Sequence, residues 1–288
     1  MKEIGEATAT VGLIGDKLYQ VRARAALPLL VRQAKAEQPT IYSDLAEELA
    51  MPNPRNLDYP LGTIGNALRE LSALWNCEVP PIQALVINKK TQLPGEGIAW
   101  FAPDAHNFRA ASTKQKREII NTMLSKVYSF DQWDSVLHHF GLQPVDNTSL
   151  SLRPRQPIHD TAHGESSDHR TLKDFIAHNP HILGVPRSCV PGQTEFIFGS
   201  ADAVDVLFRN GDEWVGVEVK SARSGYEDIA RGLFQCIKYR ALLEATQMVE
   251  QRPINCRAIL VLEAGLPREL IALRNTLGVD VLTNISPR

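Results

Sequence analysis

The dipeptide Asn210-Gly211 restricts the fold of this chain more than any other feature, because it separates two short runs with the character of β-strands, "AVDVLF" and "WVGVEV". Asn-Gly between two such runs is a strong signal for a two-residue hairpin turn. We therefore predict an antiparallel pair of strands in which residues 210 and 211 form the turn. Counted outward from that turn, Gly216 stands opposite Asp205 on the neighbouring strand.

Strand alternation divides the side chains of this hairpin between two faces. On the second face, Asp205 and Glu218 are diagonal neighbours and Lys220 follows two residues later, while Gly216 leaves a vacancy beside the two carboxylates. Asp202 falls by parity on the first face and is not expected to join Asp205. The first face is apolar and collects Val204, Val206, Phe208, Val215, Val217 and Val219.

Two carboxylates beside a vacancy are a typical setting for a hard divalent cation, because such ions prefer oxygen ligands. We expect Asp205 and Glu218 to bind Mg²⁺, with Mn²⁺ as the alternative ion. Such an ion can activate water and stabilise charge on a phosphate. Lys220 can hold the water, help to deprotonate it or stabilise the developing charge. A simple Glu–Lys pair on an exposed strand is the alternative interpretation.

The second half of the chain shows the order α-β-β-β-α-β-α-β, which predicts a three-layer α/β domain with a mixed sheet. Within it, "VDVLF…VGVEVKS" resembles the Asp–(x)n–Glu-x-Lys core of the PD-(D/E)xK, or restriction-endonuclease-like, nuclease superfamily. The resemblance covers about residues 160–285 and lacks the proline of the family name, since Val204 precedes Asp205. It implies a magnesium-dependent nuclease in which Asp205, Glu218 and Lys220 are catalytic.

The long helix that follows carries "QCIKY", which resembles the Gln-x-x-x-Tyr motif of some branches of that superfamily. Gln235 and Tyr239 lie at i,i+4 on one helical face, with Arg231 one turn earlier. The resemblance implies that Gln235 and Tyr239 orient the attacking water or a substrate phosphate, and that Arg231 contacts nucleic acid. An ordinary amphipathic helix with Tyr239 half-buried is the alternative.

The first helix of the superfamily commonly brings a further acidic residue to the metal. Glu165, at the start of "ESSDHRTLKDFIAHNP", is the matching position and is the expected third ligand. Asp168 and His169 are rivals for this place, and Glu165 could instead favour the helix N-terminus electrostatically.

The first half predicts three helices followed by two strands, "PIQALVINKK" and "IAWFAP", which is the order of a winged helix-turn-helix. Arg69, Lys89 and Lys90 would then contact phosphates, unless they only solvate the surface. The half also resembles winged-helix modules fused to nucleases of bacterial restriction and phage-defence systems. We predict a winged-helix-like domain with extra helices over 1–145, a linker over 146–164 and a nuclease-like domain over 165–288.

Bulk properties limit the partners of the chain. A formal net charge of −2 predicts no general affinity for polyanions, so DNA binding requires a local basic face. Four scattered cysteines without a CxxC pair argue against a zinc ribbon or a disulfide framework. No signal peptide or membrane span is evident, and we expect a cytoplasmic protein.

The sequence as a whole predicts a Mg²⁺-dependent nuclease that hydrolyses phosphodiester bonds in DNA, in a prokaryotic restriction or defence setting. The resemblance also allows for a homodimer or for a partner protein of such a system. Two other classes stay open: an inactive nuclease scaffold that binds nucleic acid or assembles with other proteins, and a winged-helix regulator whose C-terminal half senses a ligand.

Overall fold

The computed structural model describes residues 12–102, 104–145 and 167–287. The chain divides into two compact units, Met1–Asn147 and Thr148–Arg288. No helix in the described ranges combines the length and the apolar character needed to cross a membrane. Glu165, the expected third metal ligand, lies outside the described residues.

The first unit is built around the packing of two long helices, α1 and α3, whose buried aliphatic side chains form its main core. Helix α1 continues through Pro28. The helices of this unit are α1 (Leu18–Lys35), α2 (Tyr42–Glu48), α3 (Asp58–Trp75), α4 (Ala105–Ala110), α5 (Thr113–Ser129) and α6 (Trp133–His139).

The predicted two-stranded wing after α3 is wrong in its extent. Strand β2 is only Val86–Ile87, and it pairs in parallel with β1, Thr40–Ile41. The expected return strand is instead a 3₁₀-helix, Glu96–Phe101. One antiparallel bridge joins Ile87 to Pro94, and the ladder stops there because proline has no backbone N–H to donate.

The second unit confirms the predicted order α-β-β-β-α-β-α-β. Its five strands form one mixed sheet in chain order, antiparallel from β3 to β5 and parallel from β5 to β7. The elements are α7 (Ser167–His178), β3 (Gln193–Ile197), β4 (Ala203–Asn210), β5 (Glu213–Lys220), α8 (Tyr226–Val249), β6 (Cys256–Leu262), α9 (Ile271–Leu277) and β7 (Asp280–Leu282).

Helices cover both faces of this sheet, which makes three layers. Helix α7 packs on one face, where Val206, Val217 and Val219 are buried. Helices α8 and α9 pack on the other face, over Leu207 and Trp214. Both faces of the β4–β5 hairpin are therefore core, and Asp205, Glu218 and Lys220 lie at the end away from the turn.

The hairpin register differs from the prediction by two residues. Gly211 is the first of the two turn residues, with φ of +59°, and Asn210 pairs with Glu213. Turns that place glycine first suit the twist of a hairpin as well as Asn-Gly turns do. The expected pairing of Asp205 with Gly216 is therefore wrong. Extending the observed register by one residue places Asp205 opposite Glu218.

Strand β4 also departs from simple alternation at Asp205. Val204 belongs to the core under α8, whereas Val206 belongs to the core under α7, so the two valines do not share a face as predicted. Glu195 of β3 lies between the pairs that flank this point, and its φ is +51°. The change of face on β4 therefore lies beside a left-handed residue on the neighbouring strand, where the pleat is locally disturbed.

Candidate functional site

Asp205, Glu218 and Lys220 come together at one end of the β4–β5 hairpin, as the sequence predicts. The Lys220 Nζ lies 3.0 Å from Glu218 Oε1. Asp205 Oδ2 accepts a hydrogen bond of 2.8 Å from the backbone N–H of Val219, which fixes its carboxylate against β5. Glu218 and Lys220 are only 3% and 8% exposed, so this is not an ion pair on an exposed strand.

The electrostatics of Glu218 are unusual for a carboxylate. Burial is the main cause, and the charge of Asp205 the second, of a rise in its pKa from 4.5 to about 7. Lys220 and a hydrogen bond from Tyr239 work in the opposite direction but do not offset them. Two carboxylates that interact across a low-dielectric space leave a local excess of negative charge.

Lys220 has a second carboxylate partner that the sequence did not indicate. Asp228, in the first turn of α8, places Oδ1 3.0 Å from Lys220 Nζ. Burial disfavours the charge of Lys220, but Glu218 and Asp228 outweigh it and raise the Lys220 pKa. The one available signal for Asp228 was an acidic residue in the first turn of the helix after β5.

Gly232 makes room for the stem of Lys220, and sequence reasoning also missed it. A Cβ at position 232 would lie 3.1 Å from Lys220 Cε and 2.9 Å from Leu260 Cδ1. Helix α8 therefore passes close above the end of β5 only because residue 232 has no side chain.

Gln235 and Tyr239 face the site from α8, as the motif implies. Gln235 Nε2 donates to the Tyr239 hydroxyl oxygen at 3.3 Å, and Tyr239 is hydrogen-bonded to Glu218. Burial and the charges of Glu218 and Asp205 raise the pKa of Tyr239, so its phenol is neutral. In the described structure the Oε1 of Gln235 is buried without a hydrogen-bond partner.

Gly216 does not provide the expected vacancy for a cation. A Cβ added there would meet Leu243 Cδ1 at 3.1 Å and Val204 Cγ2 at 3.6 Å. The space above Gly216 is occupied by the apolar side of α8, so its role is to admit the helix. The prediction failed with the hairpin register, which placed Gly216 opposite the wrong residue.

Helix α7 brings His169 to the site. Its Nε2 lies 3.4 Å from Asp205 Oδ1, and both side chains are about four-fifths buried. Asp168 points to a different partner and pairs with Arg223 at 2.8 Å. Asp202 is bound by Lys238 and Ser200, in line with its predicted exclusion from the cluster.

The predicted nucleic-acid contacts lie in two different places. Arg231 is on α8 with a 60% exposed side chain, 3.6 Å from Asp228. Arg69 belongs to the first unit, where its guanidinium covers the Phe101 ring and donates to the carbonyl of Trp100. Lys89 and Lys90 are exposed in the turn that follows β2.

The donor set of the cluster fits a magnesium ion. Among the described residues, no group of three or more histidine, cysteine, aspartate or glutamate side chains is arranged to hold a metal. Magnesium commonly uses only one or two carboxylates and keeps several waters. Asp205 and Glu218 could supply two carboxylates, and the charge of Asp205 adds to burial in raising the pKa of Glu218.

Comparison of the chain with known protein families, curated proteins and solved structures gives no match. The functional conclusion therefore depends on the geometry of Asp205, Glu218 and Lys220.

Proposed function

We propose that the second unit is a metal-dependent nuclease of the PD-(D/E)xK type that hydrolyses phosphodiester bonds in DNA, with Mg²⁺ or Mn²⁺ as cofactor. The observation that carries the proposal is the buried cluster of Asp205, Glu218 and Lys220. A hydrogen bond between Glu218 and Tyr239 joins this cluster to α8. Burying such a group of charges costs stability, and strongly perturbed, buried ionisable groups are concentrated at functional sites.

A magnesium ion held by Asp205 and Glu218 would supply Lewis acidity to the attacking water and to the phosphate. The chain itself fixes the two carboxylates, one through the N–H of Val219 and the other through Lys220 and Tyr239. Such fixed groups need no reorganisation as charge develops, which is the usual source of electrostatic catalysis.

Lys220 acts in this proposal as a cation rather than as a base. Its pKa is raised, because Glu218 and Asp228 outweigh the effect of burial, so Nζ keeps its proton. A charged ammonium at this place stabilises negative charge on the phosphate oxygens. Arg231, which is exposed on α8, would then contact a neighbouring phosphate of the substrate.

The test is to incubate the full chain with single- and double-stranded DNA and RNA, in the presence of Mg²⁺, Mn²⁺ or a chelator. We expect cleavage of DNA only with a divalent ion. Asp205→Asn and Lys220→Met should each reduce the rate by at least about 100-fold. Lys238→Met is the matched control, since Lys238 lies on α8 over the same sheet and its exposed ammonium pairs with Asp202 instead of with the cluster.

Cleavage in the presence of chelator, or full activity in Asp205→Asn, would overturn the proposal. Retained circular dichroism of each variant shows that a loss of rate is not a loss of folding. DNA binding without cleavage under every metal condition would favour the inactive scaffold instead. Preferential cleavage of RNA would keep the chemistry and change the substrate.

A further inference from the structure

The first unit contains a cavity of about 650 Å³ that the proposed nuclease chemistry does not use. It lies between α3 and the segment from Ile82 to Phe101, and its lining is mostly apolar. Its volume is in the range of pockets that hold small organic ligands. The aromatic side chains that line it are Tyr42, Trp100 and Phe101.

Gln83 is the observation that points to a ligand. Its side chain lines the cavity and is only 6% exposed, yet neither Nε2 nor Oε1 has a hydrogen-bond partner within the described structure. An unpaired buried polar group costs about 1–3 kcal/mol, so a carboxamide with both ends unpaired calls for an explanation. A ligand that offers one donor and one acceptor side by side would pair both.

The absence of a side chain at Gly65 makes space for this carboxamide. A Cβ at Gly65 of α3 would lie 2.4 Å from Gln83 Nε2 and 2.4 Å from Phe101 Cζ. Glycine in the middle of a helix is destabilising by roughly 0.5–1 kcal/mol relative to alanine. Here it allows the amide and the aromatic ring to lie directly against the helix.

Cationic groups complete the lining. Arg69 is held over the Phe101 ring at 4.8 Å and donates one hydrogen bond of 2.9 Å to the Trp100 carbonyl. A guanidinium has five N–H donors, so this contact leaves donors for an anion. Arg55 also lines the cavity, and the carboxylates of Asp58 and Glu96 offer acceptors for hydroxyl or amino groups.

We propose that this cavity binds a nucleobase that carries a phosphate, with the ring among the aromatic side chains and its polar edge on the Gln83 carboxamide. Glutamine pairs with a base edge through one donor and one acceptor, and aromatic side chains stack on bases. Arg69 and Arg55 receive the phosphate. An aliphatic ligand would fill the same volume but leave Gln83 unpaired.

The test is calorimetric titration of the full chain, without divalent ions, with the four common nucleoside monophosphates and with ribose 5-phosphate. We expect at least one nucleotide to bind with a dissociation constant below about 1 mM. Ribose 5-phosphate, which has the phosphate but no base, should bind at least tenfold more weakly. Short single-stranded oligonucleotides in a parallel titration show whether the base comes from a free nucleotide or from a polynucleotide.

Two variants separate recognition from folding. Gln83→Leu should weaken binding at least tenfold while keeping or raising the melting temperature, because it removes two unpaired polar atoms. Gly62→Leu should fill part of the cavity, since Gly62 of α3 lines it and a Cβ at this position meets no atom within 4 Å. Gln132→Leu, at an exposed glutamine of the same unit, is the matched control and should leave binding unchanged.

Absence of binding by every nucleotide and oligonucleotide would overturn the proposal, as would binding that Gln83→Leu and Gly62→Leu leave intact. The latter result would place the bound nucleotide elsewhere, for example at the cluster of Asp205, Glu218 and Lys220. The outcome is independent of the nuclease proposal, because no metal is present and the cavity lies wholly within the first unit.

Discussion

Replacement of Glu218 by glutamine should make the second unit more stable at alkaline pH. The raised pKa of Glu218, about 7 against 4.5 for the unfolded chain, means that the folded state holds this proton more tightly. The stability that Glu218 contributes is therefore complete below pH 4.5 and is lost as the pH rises through 7. The pKa difference corresponds to about 3 kcal/mol in the free energy of unfolding.

Glutamine has no proton to lose at this position and can still accept the hydrogen bond from Lys220. The difference in unfolding free energy between Glu218→Gln and the wild type should therefore grow in favour of the variant by roughly 2–3 kcal/mol from pH 5 to pH 8. The contributions of other titrating groups to the pH dependence are common to both proteins and cancel when the two free energies of unfolding are subtracted. Asp205→Asn should show a smaller pH dependence than the wild type, because it removes the second cause of the pKa rise and leaves burial in place.

The measurement is urea-induced unfolding, monitored by hydrogen exchange and mass spectrometry. Peptides from β4 and β5 report on the unfolding of the second unit independently of the first. A difference that stays constant between pH 5 and pH 8 would refute the account of Glu218. Addition of Mg²⁺ at pH 8 should stabilise the wild type and not Glu218→Gln, because an ion that binds only the folded, ionised pair shifts the unfolding equilibrium.

Three further substitutions test the packing described above. Gly232→Ala should destabilise the second unit by about 1–3 kcal/mol and lower nuclease activity, since the new methyl group displaces Lys220. Gly211→Ala should cost about 1 kcal/mol in urea unfolding, because φ of +59° disfavours a side chain. Glu48→Ala should destabilise the first unit by about 3–5 kcal/mol, as it removes the carboxylate partner of the buried Arg32 guanidinium and leaves the neutral Gln33 to accept from it.

Matched controls exist for each of these changes. Gly199→Ala should be nearly neutral, because a Cβ there meets nothing within 4 Å. Asp134→Ala breaks the exposed pair with Lys35 and should change stability by no more than about 1 kcal/mol. If the control at a glycine or an ion pair costs as much as its test variant, the packing or burial argument for that site is wrong.

Much of the second unit could be predicted because its strands and helices have distinct local patterns. The alternation in β4 and β5 placed Glu218 and Lys220 on one face, and this conclusion survived a register error of two residues because side chains repeat every two residues. The i,i+4 spacing of Gln235 and Tyr239 likewise placed both on one side of α8.

The errors came from features that depend on packing between distant segments. Whether the turn begins at Asn210 or at Gly211 is a small energetic difference that the rest of the sheet decides. The change of face at Val204 lies beside a left-handed residue, Glu195, on another strand, and the local pattern of β4 does not indicate it. The role of Gly232 depends on how closely α8 packs over β5, which the sequence does not indicate. In the first unit, the residue pattern predicted a two-stranded wing, but the structure has only the short Ile87–Pro94 bridge.

The position of β5 in the sheet has a consequence for heat inactivation. As the third of five strands, it is hydrogen-bonded on both sides, and it carries Glu218 and Lys220. Central strands are usually the last part of a domain to open. The ion pair should therefore persist until the whole unit melts, so that warming would end the proposed nuclease activity abruptly at the unfolding transition instead of eroding it gradually beforehand.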